Sequence, residues 1–236
     1  MASKMSRDTA LCFHYILDQL FPPIVRDCRF IMAIPMWMLF RHRYKYYLDF
    51  KDKAFSLSED GFRDYYRTVN DTAISRETDL NKSCIEKIVE SVTPGKILDV
   101  GCGRGFLVNL LMQKHPDVSG VDIYITDSLK QRFPNVKFYE ENVESLPFPD
   151  KHFDTVICTH TLEHVRNLAH ATAELRRIAK KLIIIVPRQR PYKYTFDLHL
   201  NFFPYIYSLL SVMGKTNGEV ICEDIDGDIF YVETTT

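Results

Sequence analysis

Apolar positions along this chain change their spacing several times, and each change predicts a different element. Residues 80–92 place apolar side chains every three or four positions, which predicts an amphipathic helix that ends at Thr93-Pro94-Gly95. The next run, Ile97–Val100, is mostly apolar without a helical period, so it predicts a short buried strand. Glycines at 101, 103 and 105 follow, and residues 106–112 return to helical spacing. Strand, glycine-rich turn and helix together predict the start of a nucleotide-binding βαβ unit.

The same alternation continues downstream. A helix is predicted over residues 168–178, and further short strands are predicted over 118–123, 136–143, 153–160 and 181–186. Because strands alternate with helices of this length, the pattern predicts an α/β fold with a Rossmann-like, doubly wound and mostly parallel sheet.

The C-terminal pattern is different. Residues 201–213 predict an aromatic-rich helix, and Asp226-Gly227 then joins two alternating segments, 218–224 and 229–234. An Asp-Gly pair between such segments is a strong hairpin signal. We therefore expect an antiparallel hairpin at the end of the sheet, with residues 78–236 forming one domain and residues 1–77 a helical extension.

The N-terminal extension contains an unusual segment over residues 30–47. Phe30–Phe40 carries no charge, is interrupted by Pro35, and is followed by a basic and aromatic stretch, residues 41–47. The run is shorter than the about 20 residues that cross a bilayer. Two interpretations stay open: the segment packs as a cap over the other domain, or it contacts a membrane surface or a lipid-linked substrate.

Composition narrows the class of protein. The chain has 236 residues, of which 46% are hydrophobic and 26% charged, and its net charge is −1. A net charge this small creates no overall positive electrostatic field that would attract DNA or RNA, so neither is expected as a partner. Six cysteines without a C-x-x-C pair predict reduced thiols. With no recognisable secretion signal, we expect a cytoplasmic protein.

The glycine-rich turn indicates the kind of cofactor. Its spacing is G-x-G-x-G, which differs from the G-x-G-x-x-G of pyrophosphate binders and speaks against a nicotinamide-dependent dehydrogenase. Asp122 ends the next predicted strand, where its carboxylate offers paired acceptors to two ribose hydroxyls.

Four segments in order give a more specific resemblance. Residues 97–105, Val121-Asp122, the stretch 142–148 and the stretch 153–165 resemble the successive signatures of class I S-adenosylmethionine-dependent methyltransferases. The nearest group is the small-molecule methyltransferases related to quinone-biosynthesis enzymes. The resemblance covers about residues 80–234 and implies S-adenosylmethionine as cofactor and methyl transfer as the activity.

The resemblance also implies residue roles. Asp99 and the backbone around Gly101–Gly103 would hold the amino-acid end of the cofactor, and Asp122 the ribose. Asn142 and the Val143 amide would meet the adenine. Asn142 stands where the family usually has Asp, and a plain turn residue is the other interpretation. The full cofactor-binding set that we predict is Asp99, Gly101, Cys102, Gly103, Gly105, Asp122, Ile123, Asn142, Val143 and Thr159.

Candidate catalytic residues follow the predicted strands. His160, Glu163 and His164 come after the strand 153–160, and His199 follows the strand 181–186, so all lie where α/β sheets bind ligands. His160 is the first candidate for a base or an acceptor contact. Glu163 and His164 have the alternative role of starting the next helix and orienting its loop. Cations in residues 187–194 could meet an anionic substrate or lie on a solvated loop.

Two other functions stay open. His160, Glu163, His164 and His199 resemble the metal site of small-RNA 2′-O-methyltransferases, although that motif has Glu at its first position, so a metal-assisted RNA-end enzyme is an alternative. A protease of the H-x-x-E-H type is set aside because these residues follow a strand. A non-catalytic S-adenosylmethionine-binding scaffold is the other alternative. The acceptor, the methylated atom and the oligomeric state are not determined by the sequence.

Overall fold

The computed structural model describes residues 15–16, 20–70 and 77–234, with residues 69 and 70 described by their backbone only. The remaining residues of the predicted N-terminal extension lie outside this part of the chain. Packing divides the chain into two units. The first contains the described residues of Met1–Asp79 together with Gln189–Leu200, and the second contains Leu80–Arg188 together with Asn201–Thr236.

The first unit is helical. Its elements are α1 (Pro23–Arg26), α2 (Arg29–Phe40), a 3₁₀ turn (Arg41–Arg43), α3 (Tyr44–Ala54) and α4 (Glu59–Asn70). Aromatic side chains fill its interior: Phe40 stacks on Tyr47, and Phe50 packs against Phe62 and Tyr65. Such ring pairs bury large apolar areas with defined geometry.

The expected interruption at Pro35 is wrong, because α2 continues through this residue from Arg29 to Phe40. A proline inside a helix removes one backbone hydrogen bond. Packing of Met32, Met36 and Phe40, all buried, offsets that loss. Among the described residues, no helix combines the length and the apolar character that crossing a bilayer requires.

The segment Gln189–Leu200 packs with the helices of the first unit. Lys51 Nζ donates to the Tyr192 carbonyl at 2.5 Å, and Asp27 Oδ1 accepts from the Lys193 N–H at 2.7 Å. Burial lowers the pKa of Lys51 to about 8. Sequence alone gave no indication that this segment packs with helices more than a hundred residues earlier.

The second unit contains a seven-stranded sheet in the order β3-β2-β1-β4-β5-β7-β6. The first five strands are parallel, and β7 and β6 are antiparallel. The predicted fold class is confirmed. The strands are β1 (Ile97–Val100), β2 (Val118–Asp122), β3 (Lys137–Glu140), β4 (Phe153–Thr159), β5 (Ala179–Pro187), β6 (Glu219–Ile225) and β7 (Asp228–Thr234).

Helices cover both faces of this sheet. They are α5 (Lys82–Ser91), α6 (Phe106–Leu111), α7 (Asp127–Arg132), α8 (Leu168–Ile178) and α9 (Ile206–Met213). Successive strand residues point to opposite faces, so Leu98 and Val156 join the core under α8 and α9, whereas Ile97 and Ile157 join the core under α5, α6 and α7.

Local contacts explain where the elements differ from the sequence pattern. β3 ends at Glu140, before the predicted end at 143, because the chain turns and the Ser145 N–H donates to the Asn142 carbonyl. α7 was not predicted. It is a short helix with one buried side chain, Leu129, and its start is fixed by the hydroxyl of Thr126, which accepts from the Leu129 N–H.

A buried ion pair fastens the C-terminal hairpin to α8. Arg176 Nη2 donates to Glu233 Oε2 at 2.7 Å, and Arg176 Nη1 donates to the Met213 carbonyl at 3.0 Å. Glu233 is fully buried and also accepts from the Tyr231 hydroxyl at 2.7 Å. Because every part of the pair has a partner, it holds α8, α9 and β7 in one arrangement.

Candidate active site

The candidate site lies in the second unit, where the strand order reverses between β1 and β4. In open α/β sheets, loops that leave the carboxyl ends of two strands at such a point diverge and form a crevice. Here the loops are the glycine-rich turn after β1 and residues 160–166 after β4. The sequence placed some of its candidate residues on these two loops and others after β2, after β3 and at His199.

The glycine-rich turn needs glycine for a steric reason. Gly101 has φ +73°, and a Cβ at this position would lie 1.9 Å from Thr161 Oγ1. Gly105, with φ +75°, would collide in the same way with Leu129 and Phe133. These residues therefore allow the turn to pack closely against the loop after β4 and against α7.

Asp122 connects the end of β2 to this turn. Its Oδ2 accepts from the Gly103 N–H at 2.8 Å, and its Oδ1 is 3.4 Å from the Tyr124 nitrogen. Burial raises the pKa of Asp122, and the backbone hydrogen bonds partly offset that rise. Asp122 is half-buried, and its Oδ2 fixes the turn through the Gly103 N–H.

Asp99 lies inside β1 and is 2% exposed. Its Oδ1 is buried without a hydrogen-bond partner, and burial together with the charge of Asp122 raises the pKa of Asp99 to about 7. A buried carboxylate oxygen of this kind costs free energy unless a ligand satisfies it. A cationic group such as the ammonium of S-adenosylmethionine fits this requirement.

Asn142 occupies a tight turn after β3. Its Oδ1 accepts from the Glu144 N–H at 3.0 Å, which is the geometry of a turn residue. An amide oxygen has two lone pairs, so this bond leaves room for a second donor. Val143, next to it, is 9% exposed. The adenine contacts assigned to both residues stay predictions, as do those of Ile123 and Thr159, which are half-buried.

His160 lies between two buried carboxylates. Its Nδ1 is 3.5 Å from Glu163 Oε1, and its Nε2 is 3.8 Å from Asp228 Oδ2. Burial alone would lower the pKa of His160, but Asp228 and Glu163 outweigh this effect and raise it to about 9. The ring is therefore an imidazolium at neutral pH. In that form an imidazole cannot accept a proton, and the catalytic role of His160 stays a prediction.

The backbone around His160 is also constrained. His160 has φ +47°, a left-handed conformation that is uncommon for a residue with a side chain. Its N–H donates to the Ile185 carbonyl at 2.9 Å. The change of backbone direction ends β4 at Thr159, one residue before the predicted end. Strain of this kind persists only where neighbouring contacts hold it.

Asn201 holds the loop after β4 and was missed in the sequence. Its Nδ2 donates to the carbonyls of Leu162 and Val165 at 2.9 and 2.8 Å, and its backbone N–H donates to the Glu163 carbonyl at 2.9 Å. His164 lies in this loop and is half-buried. No local pattern could reveal Asn201, because its partners are more than thirty residues away along the chain.

His199 belongs to the first unit, in the segment Gln189–Leu200. It is 8% exposed, with Nδ1 2.5 Å from Gln189 Oε1 and 3.4 Å from Asp197 Oδ2. The amide nitrogen of Gln189 donates to the Tyr192 hydroxyl at 2.9 Å, so its oxygen faces the imidazole and Nδ1 is the donor. This bond fixes the tautomer in which Nε2 carries the lone pair when the ring is neutral.

The sheet order, the glycine-rich turn after β1 and the acid at the end of β2 are together typical of the class I methyltransferase fold. Residues 98–185 match the family model described as "Methyltransferase domain". This match and the relatives named below support the resemblance and the cofactor class predicted from the sequence: residues 98–185 are similar to the methyltransferase domain of S-adenosylmethionine-dependent enzymes.

Particular proteins share this domain. An uncharacterised Methanocaldococcus jannaschii protein is 40% identical over 97 residues, which are 38% of this chain and 40% of that protein. A ubiquinone biosynthesis O-methyltransferase of Paracidovorax citrulli is 35% identical over 94 residues, 36% of this chain and 39% of that enzyme. The chain thus spans about 40% of the length of the curated relatives it matches.

A solved structure supports the fold independently. A Pyrococcus horikoshii protein aligns with a TM-score of 0.57 and 23% identity, covering 75% of this chain and all of that one. At this identity the similarity establishes the fold alone.

Proposed function

We propose that the protein transfers a methyl group from S-adenosylmethionine to a small-molecule acceptor. The observation that carries the proposal is the pair of acids at the carboxyl edge of β1 and β2. Asp99 Oδ1 is buried without a partner, and Asp122 is tied to the glycine-rich turn at 2.8 Å. Asp99 Oδ1 suits the ammonium group of S-adenosylmethionine, and the Asp122 carboxylate suits the two hydroxyls of its ribose.

Each residue has a distinct task in this proposal. Asp99 holds the ammonium of the cofactor, Asp122 accepts from the ribose hydroxyls, and Asn142 accepts from the adenine amino group while Val143 faces the ring. When bound, S-adenosylmethionine supplies an electrophilic methyl group on its sulfonium. The chain then contributes mainly orientation, because alignment of acceptor and methyl group gives most of the rate enhancement in such transfers.

The acceptor class follows from the loop after β4 and from the relatives. Both ring nitrogens of His160 face buried carboxylates, at 3.5 and 3.8 Å, and its pKa of about 9 makes it a poor base for an acceptor. This favours acceptors that ionise readily. The relatives named as ubiquinone and demethylmenaquinone methyltransferases support aromatic hydroxyl or ring-carbon acceptors as the first class to test.

Calorimetry with S-adenosylmethionine tests the donor site directly. Replacing Asp122→Ala removes two charge-assisted hydrogen bonds, so we expect affinity to fall by about a hundredfold. Asp127→Ala is the matched control, since Asp127 is exposed in the first turn of α7 and its removal should leave affinity unchanged. Equal affinity of the Asp122 variant and the wild type would reject the assignment.

Turnover separates the proposed enzyme from its alternatives. Formation of S-adenosylhomocysteine that depends on an added aromatic hydroxyl acceptor supports the proposal. Binding of the cofactor without turnover over a broad acceptor panel would favour the scaffold alternative. Turnover that requires both RNA and a divalent metal would favour the RNA-end alternative. We also propose that the protein works in the cytoplasm, since the described cysteines form no disulfide with one another: Cys28, Cys84, Cys102, Cys158 and Cys222.

A further inference from the structure

Helix α2 of the first unit is apolar on two sides, and one of them is packed against other described residues. Met32, Met36 and Phe40 are buried in the unit. The opposite side carries large apolar side chains that are strongly exposed, namely Phe30 (84%), Ile31 (44%), Ile34 (64%), Trp37 (51%) and Met38 (63%). These positions follow a helical spacing of one, four, seven and eight residues, so they form one continuous stripe. We call these five residues the α2 stripe.

Neighbouring apolar residues extend the α2 stripe. Ile24 in α1 is 83% exposed, and Leu20 and Phe21 just before it are also exposed. A shallow groove of about 210 Å³ opens between Ile34, Trp37, Ala33 and Tyr44. Contiguous exposed apolar surface of this extent is uncommon on a chain that stays in water, and it indicates an interaction surface.

Positive charge borders the same surface. The guanidinium of Arg41 lies 5.3 Å from the centre of the Trp37 ring, so the cation is continuous with the α2 stripe. His42 and Lys45 follow in the next turn and are exposed. Within the described part of the chain, Arg41 and Lys45 form no ion pair.

Two acids of this region are engaged with other groups, and a third, Asp52 of α3, is exposed. Asp49 pairs with Arg29 at 2.5 Å and with Lys53 at 3.3 Å, and Asp27 accepts from the Lys193 N–H at 2.7 Å. The surface beside the α2 stripe therefore combines apolar side chains with a net positive rim.

We propose that the α2 stripe docks on an anionic lipid bilayer. An apolar face that inserts at the headgroup boundary, together with basic residues beside it, supplies the two signals that reversible membrane binding requires. Trp37 and the exposed Tyr46 are of the amphipathic aromatic type that favours this interface. The anionic cytoplasmic leaflet matches the proposed compartment.

Charge argues against a second copy of the chain as the occupant. A symmetric dimer through this stripe would bring each patch against itself, so Arg41 and Lys45 of both copies would face one another. Asp49 is already paired with Arg29 and Lys53, and the exposed Asp52 alone does not balance Arg41 and Lys45. An anionic bilayer, in contrast, supplies the missing negative charge. The proposal concerns this surface alone and does not depend on methyl transfer.

The chain contains one tryptophan, Trp37, so tryptophan fluorescence reports directly on the α2 stripe. We expect its fluorescence to shift to shorter wavelength when the full-length protein meets vesicles of phosphatidylcholine and phosphatidylglycerol in equal parts. Ile34→Glu keeps the reporter and places a charge in the centre of the stripe, so binding should weaken about tenfold or more. Lys45→Ala should weaken it about fivefold, with greater loss in added salt.

Tyr207→Glu is the matched control, because Tyr207 is a large, 69% exposed apolar side chain in α9 of the second unit. It should bind vesicles as the wild type does. The proposal is overturned if the wild type fails to bind anionic vesicles, or binds neutral phosphatidylcholine vesicles equally well. It is also overturned if Ile34→Glu binds unchanged. Light scattering tests one more contrary outcome. The proposal is also overturned if the wild type forms a dimer that Ile34→Glu dissociates, while neither protein binds vesicles.

Discussion

Buried carboxylates near two loops of the second unit differ in whether a cationic side chain lies beside them. In β1, just before the glycine-rich turn, Asp99 is buried with an oxygen that has no hydrogen-bond partner among the described residues, and its pKa is raised to about 7. At the loop after β4, Glu163 and Asp228 are equally buried but face the His160 ring from two sides, at 3.5 and 3.8 Å. Among the described residues no cation is hydrogen-bonded to Asp99 Oδ1, whereas Glu163 and Asp228 share the imidazole ring of His160.

This difference indicates which loop awaits a ligand. Leaving a buried carboxylate oxygen without a partner is costly, and a binding site can retain such a group because the ligand removes the cost. A buried acid with its own cation is stable without a ligand and resembles a brace inside the protein. We infer that the turn after β1 is built for a cationic ligand, whereas His160 first of all holds the loop after β4.

The largest expected effect is on stability, from His160→Ala. The substitution leaves Glu163 and Asp228 buried near one another without the imidazolium, so the free energy of unfolding should fall by about 3–5 kcal/mol. Urea denaturation followed by circular dichroism measures this loss. His170→Ala is the control, because His170 is exposed and its removal should cost little.

The pH dependence of the free energy of unfolding, compared between the wild type and His160→Ala, is a second test. The pKa of His160 rises from 6.5 to about 9 on folding, so its stabilising contribution is complete below pH 6.5. It is lost as the pH rises through about 9, with a limit of about 3 kcal/mol. The wild type should lose this stability and His160→Ala should not. A fully stable His160 variant without turnover would instead assign the residue to the chemistry.

Sequence pattern predicted most of the second unit because its contacts are local or repeat with a period. The strands around Ile97, Val121 and Ile157 alternate with helices. Each strand and its following helix are determined by contacts within about thirty residues of sequence. The hairpin at Asp226-Gly227 is likewise set by its own turn. The donor half of the site follows these elements, since glycines and acids stand directly at the strand ends.

The brace of the loop after β4 could not be predicted in this way. Asp228 approaches His160 from a strand that enters the sheet much later in the chain, and Asn81 secures that acid by donating to Asp228 Oδ2 at 2.9 Å. Only the register of β5 with β7 brings these residues together. The inclusion of Gln189–Leu200 in the first unit has the same origin, because long-range packing leaves no periodic signal.

A smaller effect is expected on cofactor affinity as the pH changes. The pKa of Asp99 is raised from 3.8 to about 7, so without a ligand the protein loses stability as the pH rises through about 7. A bound ammonium favours the carboxylate. Affinity for S-adenosylmethionine should therefore increase with pH up to about 7, by at most about tenfold per pH unit.

Calorimetry below pH 7 in buffers of different ionisation enthalpy measures the proton that Asp99 releases on binding. Asp99→Asn has the same shape without a titrating group, so its affinity should be weaker and independent of pH in this range. Proton release that persists in Asp99→Asn would show that another group titrates. The inference that the buried Asp99 carboxylate binds a cationic ligand would then lose its main support.

The smallest effect is expected at Asn142, where the family usually carries Asp. Asn142→Asp keeps an oxygen that can accept from the Glu144 N–H, now at 3.0 Å, and from an adenine amino group. The added charge strengthens the second bond, but Glu141 and Glu144 beside it oppose a further negative charge. We therefore expect affinity for S-adenosylmethionine to change by less than about threefold, or about 0.7 kcal/mol. A gain of tenfold or more would mean that charge, and not only an acceptor atom, is needed at the adenine end, so the loss of charge at 142 would be a real weakening of the donor site.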